Sequence, residues 1–491
     1  MTWKDGLPLQ FEKSFDSILK TLSFPAKAAL ASGVIFLALL AFRMDWFQPA
    51  EVPVGTPKGT IPDSETWMGI YQKSLKIGVS HRKISPLAEG AAFSETTLMR
   101  LNTMGMVQEI HLETTGVLNA DFSLASFRSE IKSGIFRFVA SGQVQGASLV
   151  FDANGRSHIL SLQSPIYLSA ALWDASARAG LSENQSLTLS MLDPLTITPR
   201  PVRITALNMD RIESLGEWRA ARRMSVEVMG SRQSAWIDAD GNVLQEEGLM
   251  GITLRRISAE EAKDSGLASG EDLTLAVSVP ADQTIEDAEK LTRMVLRITG
   301  VEITGTERQR FASGVLTLTR EALSGLSEDF FTAPAEFLAP AALIQSDHPL
   351  IVNQLWQIIS EKDTPLSRIR KITEWVFQNI EKRPVLSVSN ALETLENRMG
   401  DCNEHAVLFA AFARAAGIPA RIEVGLVHLR GRFYYHAWNS VYLGRWITVD
   451  SLMNQIPADV THVSLAAGNP ENQMEILGAI GNIGISILEQ Q

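Results

Sequence analysis

Between residues 64 and about 257 the chain keeps one signature: apolar and polar side chains alternate, and turn residues break the runs. MGIYQKSLKIGVSHRKI, MVQEIHLETTGVL, FSLASFRSEI, IFRFVASGQV and ASLVFDANGRSHILSL all read this way. A period of two places every second side chain on one face, the pattern of strands with a single buried side. Asn154-Gly155 and Asp240-Gly241 fall between such runs and mark hairpins. One helical stretch, SAALWDASARAG at 169–180, interrupts them. The region predicts a large, curved antiparallel sheet with a helix laid on it.

The close of this region, SAWIDADGNVLQEEGLMGITLRR, resembles the last strands of curved-sheet domains in bacterial envelope proteins of the lipoprotein-carrier type. The resemblance rests on alternation and one Trp-Ile-Asp-x-Asp-Gly turn. It implies a half-barrel able to hold an apolar or peptide ligand, and a plain scaffold fits the residues equally. Residues 258–342 read as a smaller αβ unit and connector. There LTLAVSVP is expected as a strand, TIEDAEKLTRMVLRITG as a helix and GVLTLTRE as a second strand.

A chain of 491 residues exceeds one ordinary core, and at roughly 150 residues per domain it suggests about three units. The formal net charge is −11 and there is no long basic run. Nucleic acid is therefore not an expected partner, because phosphate binding needs a concentrated Lys/Arg face. Arg219, Arg222 and Arg223 read as a solvated strand face. His81, His111 and His158 stand alone on strands, without metal-ligand spacing.

The amino-terminal part sets the expected location. Ala28 to Phe42 is a run of 15 residues without charge. Extended to 24–44, with Lys27 snorkelling, it reaches the roughly 17–25 residues that cross a hydrocarbon core. Lys4, Lys13, Lys20 and Lys27 precede it, so the positive-inside bias puts residues 1–23 in the cytoplasm. A cleaved signal peptide fits less well, since the leader is long and no A-x-A site closes the run; a short buried helix is the third reading. The expectation is a single-pass protein of the cytoplasmic membrane, anchored by residues 24–44. A Pro- and Gly-rich linker at 45–63 follows, and the bulk of the chain is periplasmic.

After residue 343 the period changes. LIVNQLWQIISEK and SRIRKITEWVFQNIEK carry apolar residues at helical spacing, and ALETLENR suggests a third helix ending at Met399-Gly400. Apolar residues recur helically again from Cys402 to Ala416, which places Cys402 in the first turn of a long buried helix. Gly400 and Asp401 stand before that helix, and Gly417 with Pro419 stops it.

Cys402 is the single cysteine of the chain. Intrachain disulfides and multi-thiolate zinc sites are excluded. A lone cysteine is by default a small buried hydrophobe, but this position suits chemistry. The positive end of a helix stabilises a thiolate, and the N–H of Cys402 itself can point at an oxyanion. A base must come from elsewhere. His436 lies in the alternating strand YYHAWNSVYL, and Asp450 ends the next strand, WITVD, beyond a tight Leu443-Gly444 turn. That spacing suits adjacent antiparallel strands with both side chains on one face, the carboxylate orienting the imidazole.

Gly400-Asp401-Cys402-Asn403-Glu404-His405-Ala406, then Ala416-Gly417-Ile418-Pro419-Ala420-Arg421, Tyr435-His436-Ala437-Trp438 and Trp446-Ile447-Thr448-Val449-Asp450 are similar to the core of the transglutaminase-like superfamily. ADVTHVSLAAG at 458–468 resembles the segment that follows the aspartate in bacterial members. The resemblance covers about 345–491. It implies a papain-like α+β fold for 343–491 and thiol chemistry at amide or isopeptide bonds, with Cys402 as nucleophile, His436 as base and Asp450 as orienter. It implies no cofactor and no metal; the expected partner is a protein or peptide substrate in the cell envelope. Asn439 stands where many members carry an acidic residue, outside the triad. Asn390, an amide before the nucleophile helix, is the candidate second oxyanion donor. His405 reads as a packing or supporting residue, and His428 and His462 as structural.

The whole is expected to be α+β: a transmembrane helix, a curved β-rich region at 64–257, a small αβ unit at 258–342 and the thiol domain at 343–491. Two other functions remain open in the sequence: a binding or assembly protein that uses the β-rich region, and a cysteine peptidase.

Overall fold

The computed structural model describes residues 61–491, apart from 154–155, 194–197, 229–230, 265, 327–332, 386–389 and 470–478. The segment 24–44 and the Asn154-Gly155 turn lie outside the described residues. Among the described residues no helix is long and apolar enough to cross a membrane.

Alternation does produce one large sheet. Fifteen strands between Ser64 and Ile257 hydrogen-bond in a single path. The first eight form an antiparallel meander that ends at one edge. Ser64–Gln72 pairs instead with the last strand, Ile252–Ile257, so the two ends of the region meet mid-sheet. From there the order runs backward through the chain to Ile166–Leu168, which pairs in parallel with Ser186–Asp193. The Asp240-Gly241 turn joins Ser231–Asp238 to Val243–Glu247, with Gly241 at φ +84°. The predicted helix is present as Leu172–Arg178, and its Leu172 and Trp173 join a core with Phe93, Phe127, Ile204 and Val226. That core draws on both halves of the sheet, which curls around it. The inner face is thus filled by the protein's own side chains. A cavity of about 250 Å³ opens at its rim, and its wall includes Arg82, Asp174, Glu95 and Glu246.

The next region departs from expectation. LTLAVSVP does not form a strand throughout: Leu273–Val277 is a short helix because the Asp272 carboxylate accepts from the N–H groups of Thr274 and Leu275. Only Val279–Pro280 pairs as a strand. The expected helix at 284–300 does not form: only the short turn Ala288–Lys290 is helical, and the second half is strand. Arg293–Thr299 buries Met294, Leu296 and Ile298 on one face, a period-two pattern that outweighs the helical reading of the residues before it. This strand pairs with Val315–Thr319, expected as a strand, and on its other side with Gly484–Gln490 from the chain end.

The last region is built around one buried helix, Cys402–Ala415. Helices Pro349–Ile358, Pro365–Asn379 and Ala391–Asn397 pack on it together with strands Ala420–Leu429 and Arg432–Tyr442. The core unites Ile351, Ile372, Phe409, Phe412, Ile422 and Val441. The described chain is α+β, with a large antiparallel sheet followed by this α/β region.

Candidate active site

Gly400 and Asp401 explain how Cys402 comes to open its helix. The Asp401 carboxylate accepts from the Asn403 N–H at 2.9 Å, and Glu404 Oε2 accepts from the Asp401 N–H at 2.9 Å, a reciprocal capping box. A side chain at Gly400 would meet Glu404 Cβ at 2.2 Å, so only glycine lets Glu404 fold back. Cys402 is the first helical residue, where backbone N–H groups have no partner inside the helix. At the far end Gly417, at φ +78°, donates to Arg414 O and Ile418 donates to Ala413 O, both at 2.9 Å. This is the paired C-terminal closure that a glycine permits.

His436 stands on the strand Arg432–Tyr442, which pairs along its length with Ala420–Leu429. On its other edge Val279–Pro280 covers Phe433 and Arg432, while Trp446–Val449 covers Asn439 to Tyr442. Tyr434 to Trp438 therefore have no strand partner on that edge among the described residues. Ala437 and Val441 share the helix core, and Asn439 Nδ2 donates to Ala406 O of the helix at 3.0 Å. Alternation puts His436, Trp438 and Ser440 on the opposite face. The thiol approaches the strand at the open edge, where the N–H of Ala437 faces it.

Asp450 follows Trp446–Val449 and meets His436 as expected: His436 Nε2 is 2.7 Å from Asp450 Oδ2. The other oxygen, Oδ1, accepts from the N–H groups of Leu452 and Met453 at 2.8 and 2.9 Å. Burial would raise this carboxyl, but His436 and His462 hold it well below the usual carboxylate range. With Nε2 committed to Asp450, Nδ1 is the nitrogen left to exchange a proton with a thiol.

Three expectations change. The helix terminus does not leave a resting thiolate: burial, with Asp401, Glu404 and Asp450 adding to it, pushes the Cys402 thiol well up, and the Ala437 N–H offsets only part. Asn390 is not free to serve an oxyanion. Its Oδ1 accepts from the Glu393 N–H at 2.9 Å, capping the helix Ala391–Asn397, and its Nδ2 donates to Glu393 Oε2 at 2.8 Å, so Glu393 takes up both polar atoms. His462, expected as a structural residue, lies in the site with Nε2 3.0 Å from Asp450 Oδ2. Its signal was an aspartate three positions earlier, in Asp459-Val460-Thr461-His462, inside a segment already singled out. His405 does support the helix, with Nδ1 2.7 Å from Asp401 O.

His436, Asp450 and His462 are the one group among the described residues whose ligand-type atoms lie close enough, within 4.8 Å, to share a metal ion. Both imidazole Nε2 atoms already face one carboxylate oxygen at hydrogen-bond distance, and an ion there would displace those bonds.

A thiol at a helix N-terminus, beside a strand that presents an imidazole bonded to a carboxylate, can carry acyl transfer through sulfur. A sequence profile described as the transglutaminase-like superfamily matches residues 354–451. No curated protein matches the chain. Among solved structures, a protein described as a candidate cysteine protease from Cytophaga hutchinsonii is similar at 20% identity, covering 41% of this chain and 84% of that one, with TM-score 0.27. A β-barrel-like protein of a domain of unknown function from Brucella abortus is similar at 11% identity, over 40% and 96% of the two chains, with TM-score 0.30. The periplasmic domain of TgpA from Pseudomonas aeruginosa, bound to ethylmercury, is similar at 18% identity, over 32% and 65%, with TM-score 0.22. Residues 354–451 of this chain are a domain of the transglutaminase-like superfamily.

Proposed function

We propose that the chain is a membrane-anchored, extracytoplasmic thiol enzyme that acts on amide or isopeptide bonds of envelope proteins or peptides. The observation that carries the reading is the 2.7 Å bond between His436 and Asp450 on the strand that the Cys402 thiol approaches. Because the thiol is held up, His436 Nδ1 takes its proton as sulfur attacks the carbonyl carbon. The carbonyl oxygen becomes an oxyanion facing the Cys402 N–H. Collapse breaks the C–N bond, His436 returns the proton to the leaving ammonia or amine, and a thioester remains. Water then gives deamidation or hydrolysis, and a second amine gives a crosslink. The apolar segment 24–44 supports anchoring, and the lone thiol needs no disulfide partner outside the membrane.

Mass analysis of envelope proteins and peptidoglycan peptides incubated with the full chain tests this. Ammonia loss, hydrolysed isopeptides or joined species that vanish in Cys402→Ala are expected. New main-chain termini would make the protein a peptidase instead. A Cys402→Ala variant that fully restores function in cells lacking the chain would leave a binding role for the large sheet.

A further inference from the structure

The buried polar chain continues past Asp450. While His462 Nε2 faces Asp450, its Nδ1 faces Asp459 Oδ1 at 3.3 Å and Asp459 O at 3.2 Å. Asp459 is itself fixed, for its Oδ1 accepts from the Thr461 N–H and hydroxyl at 2.8 and 2.6 Å. Its Oδ2 accepts from Gln455 Nε2 at 3.0 Å, and Gln455 exchanges backbone hydrogen bonds with Asp450. Trp438 lies edge-on to His462 at 5.1 Å and is roughly parallel to His436 at 6.0 Å, so one buried indole abuts both imidazoles.

An imidazole with acceptors at both nitrogens satisfies them only as the doubly protonated cation, because a neutral ring turns a lone pair toward one of them. We infer that His462 is a positioning residue: a buried imidazolium, clamped between Asp450 and Asp459, that shares the orienting carboxylate with His436. The inference rests on the reading of Cys402 and His436 as nucleophile and base. Burial works against the charge, yet the two carboxylates raise His462 to about 9.

The surrounding charges leave this cation in place. Arg421 on the neighbouring strand is bridged to Glu423, and Arg308 is bridged to Glu321 while its Nη2 donates to the Asp459 carbonyl. Across Asp450 lie Cys402 with Asp401 and Glu404 on the helix, His405 behind them, and Lys382, which also acts on Asp450. With the His436 and His462 rings 5.8 Å apart, the fixed cation sets a positive charge beside His436. Cys402 labelling is therefore sustained to lower pH than Asp450 alone would allow.

The pH dependence of Cys402 alkylation in the full chain tests this, read for the wild type, His436→Ala, His462→Gln and Asp459→Asn. Removing the cation should move the acid limb of the labelling rate up by about one pH unit in His462→Gln, the scale of a unit charge at this range. Asp459→Asn keeps the cation at acid pH and should not move that limb up. Imidazole NMR of ¹⁵N-histidine-labelled protein should find His462 doubly protonated at pH 7.5, even if His462→Gln fails to fold. An unmoved limb in folded His462→Gln, or a neutral His462 at pH 7.5, overturns the inference. Wild-type labelling indifferent to His436 would instead remove the reading beneath it.

Discussion

His436 meets Asp450 through Nε2, at 2.7 Å, and the same Asp450 oxygen is shared with His462 at 3.0 Å. One carboxylate thus holds the His436 imidazole and a second imidazole, while its other oxygen is held by two backbone N–H groups. Asp450→Asn leaves a neutral amide where two imidazole donors need an acceptor. Labelling of Cys402 and any turnover should fall by roughly 10²–10⁴-fold, the range of a lost general base. Stability should fall with them, and the loss follows pH. A carboxyl depressed by folding stabilises above its unfolded value near 4, and that contribution is lost as pH falls below it. Acid titration of unfolding should therefore separate wild type from variant above about pH 4 and bring them together below.

His462 has the opposite sign. Its folded value is raised to about 9 from an ordinary value near 6.5, so its contribution is complete below about 6.5 and lost as pH rises through 9. Urea midpoints of the wild type should decline across that window, and the decline should flatten in His462→Gln.

Asp401 caps the helix that Cys402 opens and also raises the thiol. Asparagine caps as well as aspartate does but carries no charge. Burial and Glu404 hold the Asp401 carboxyl itself well above the usual carboxylate range, so Asp401→Asn should leave the melting temperature nearly unchanged and speed Cys402 alkylation only where Asp401 is ionised. Asp401→Ala, which removes the cap, should cost about 1 kcal/mol.

Gly425 pairs with His436 across the two central strands, and a Cβ there would meet Val463 O at 1.9 Å. Val463 follows His462 directly, so the close approach also places the second imidazole. Gly425→Ala should destabilise the chain by about 1–3 kcal/mol in chemical denaturation and slow labelling more than its stability loss explains.

Much of this was legible because local patterns agreed with the fold. Alternation announced the large sheet, and the Gly400-Asp401 cap with the Gly417 stop delimited the helix to within a residue. The spacing of His436 and Asp450 placed them on one face. What escaped depended on contacts distant in sequence. Asn390 looked like a donor until its own helix claimed both polar atoms, and Asn439 proved to be a latch from strand to helix. Arg293–Thr299 is a strand partly because Gly484–Gln490 returns to pair with it. His462 reads as structural in the sequence because its place depends on bridging Asp450 and Asp459, and only the fold brings Asp450 to it.

One rate reads the coupling of Cys402 to His436 most directly, measured by intact mass because the chain has a single thiol. Haloacetamide labelling of Cys402 should rise with pH through a limb belonging to the Cys402–His436 pair, and His436→Ala should slow it by roughly 10²–10⁴-fold. That variant should then follow a single ionisation above 9, as a buried thiol without a base does. Equal rates and the same single high ionisation in both proteins would contradict the claim that His436 activates Cys402.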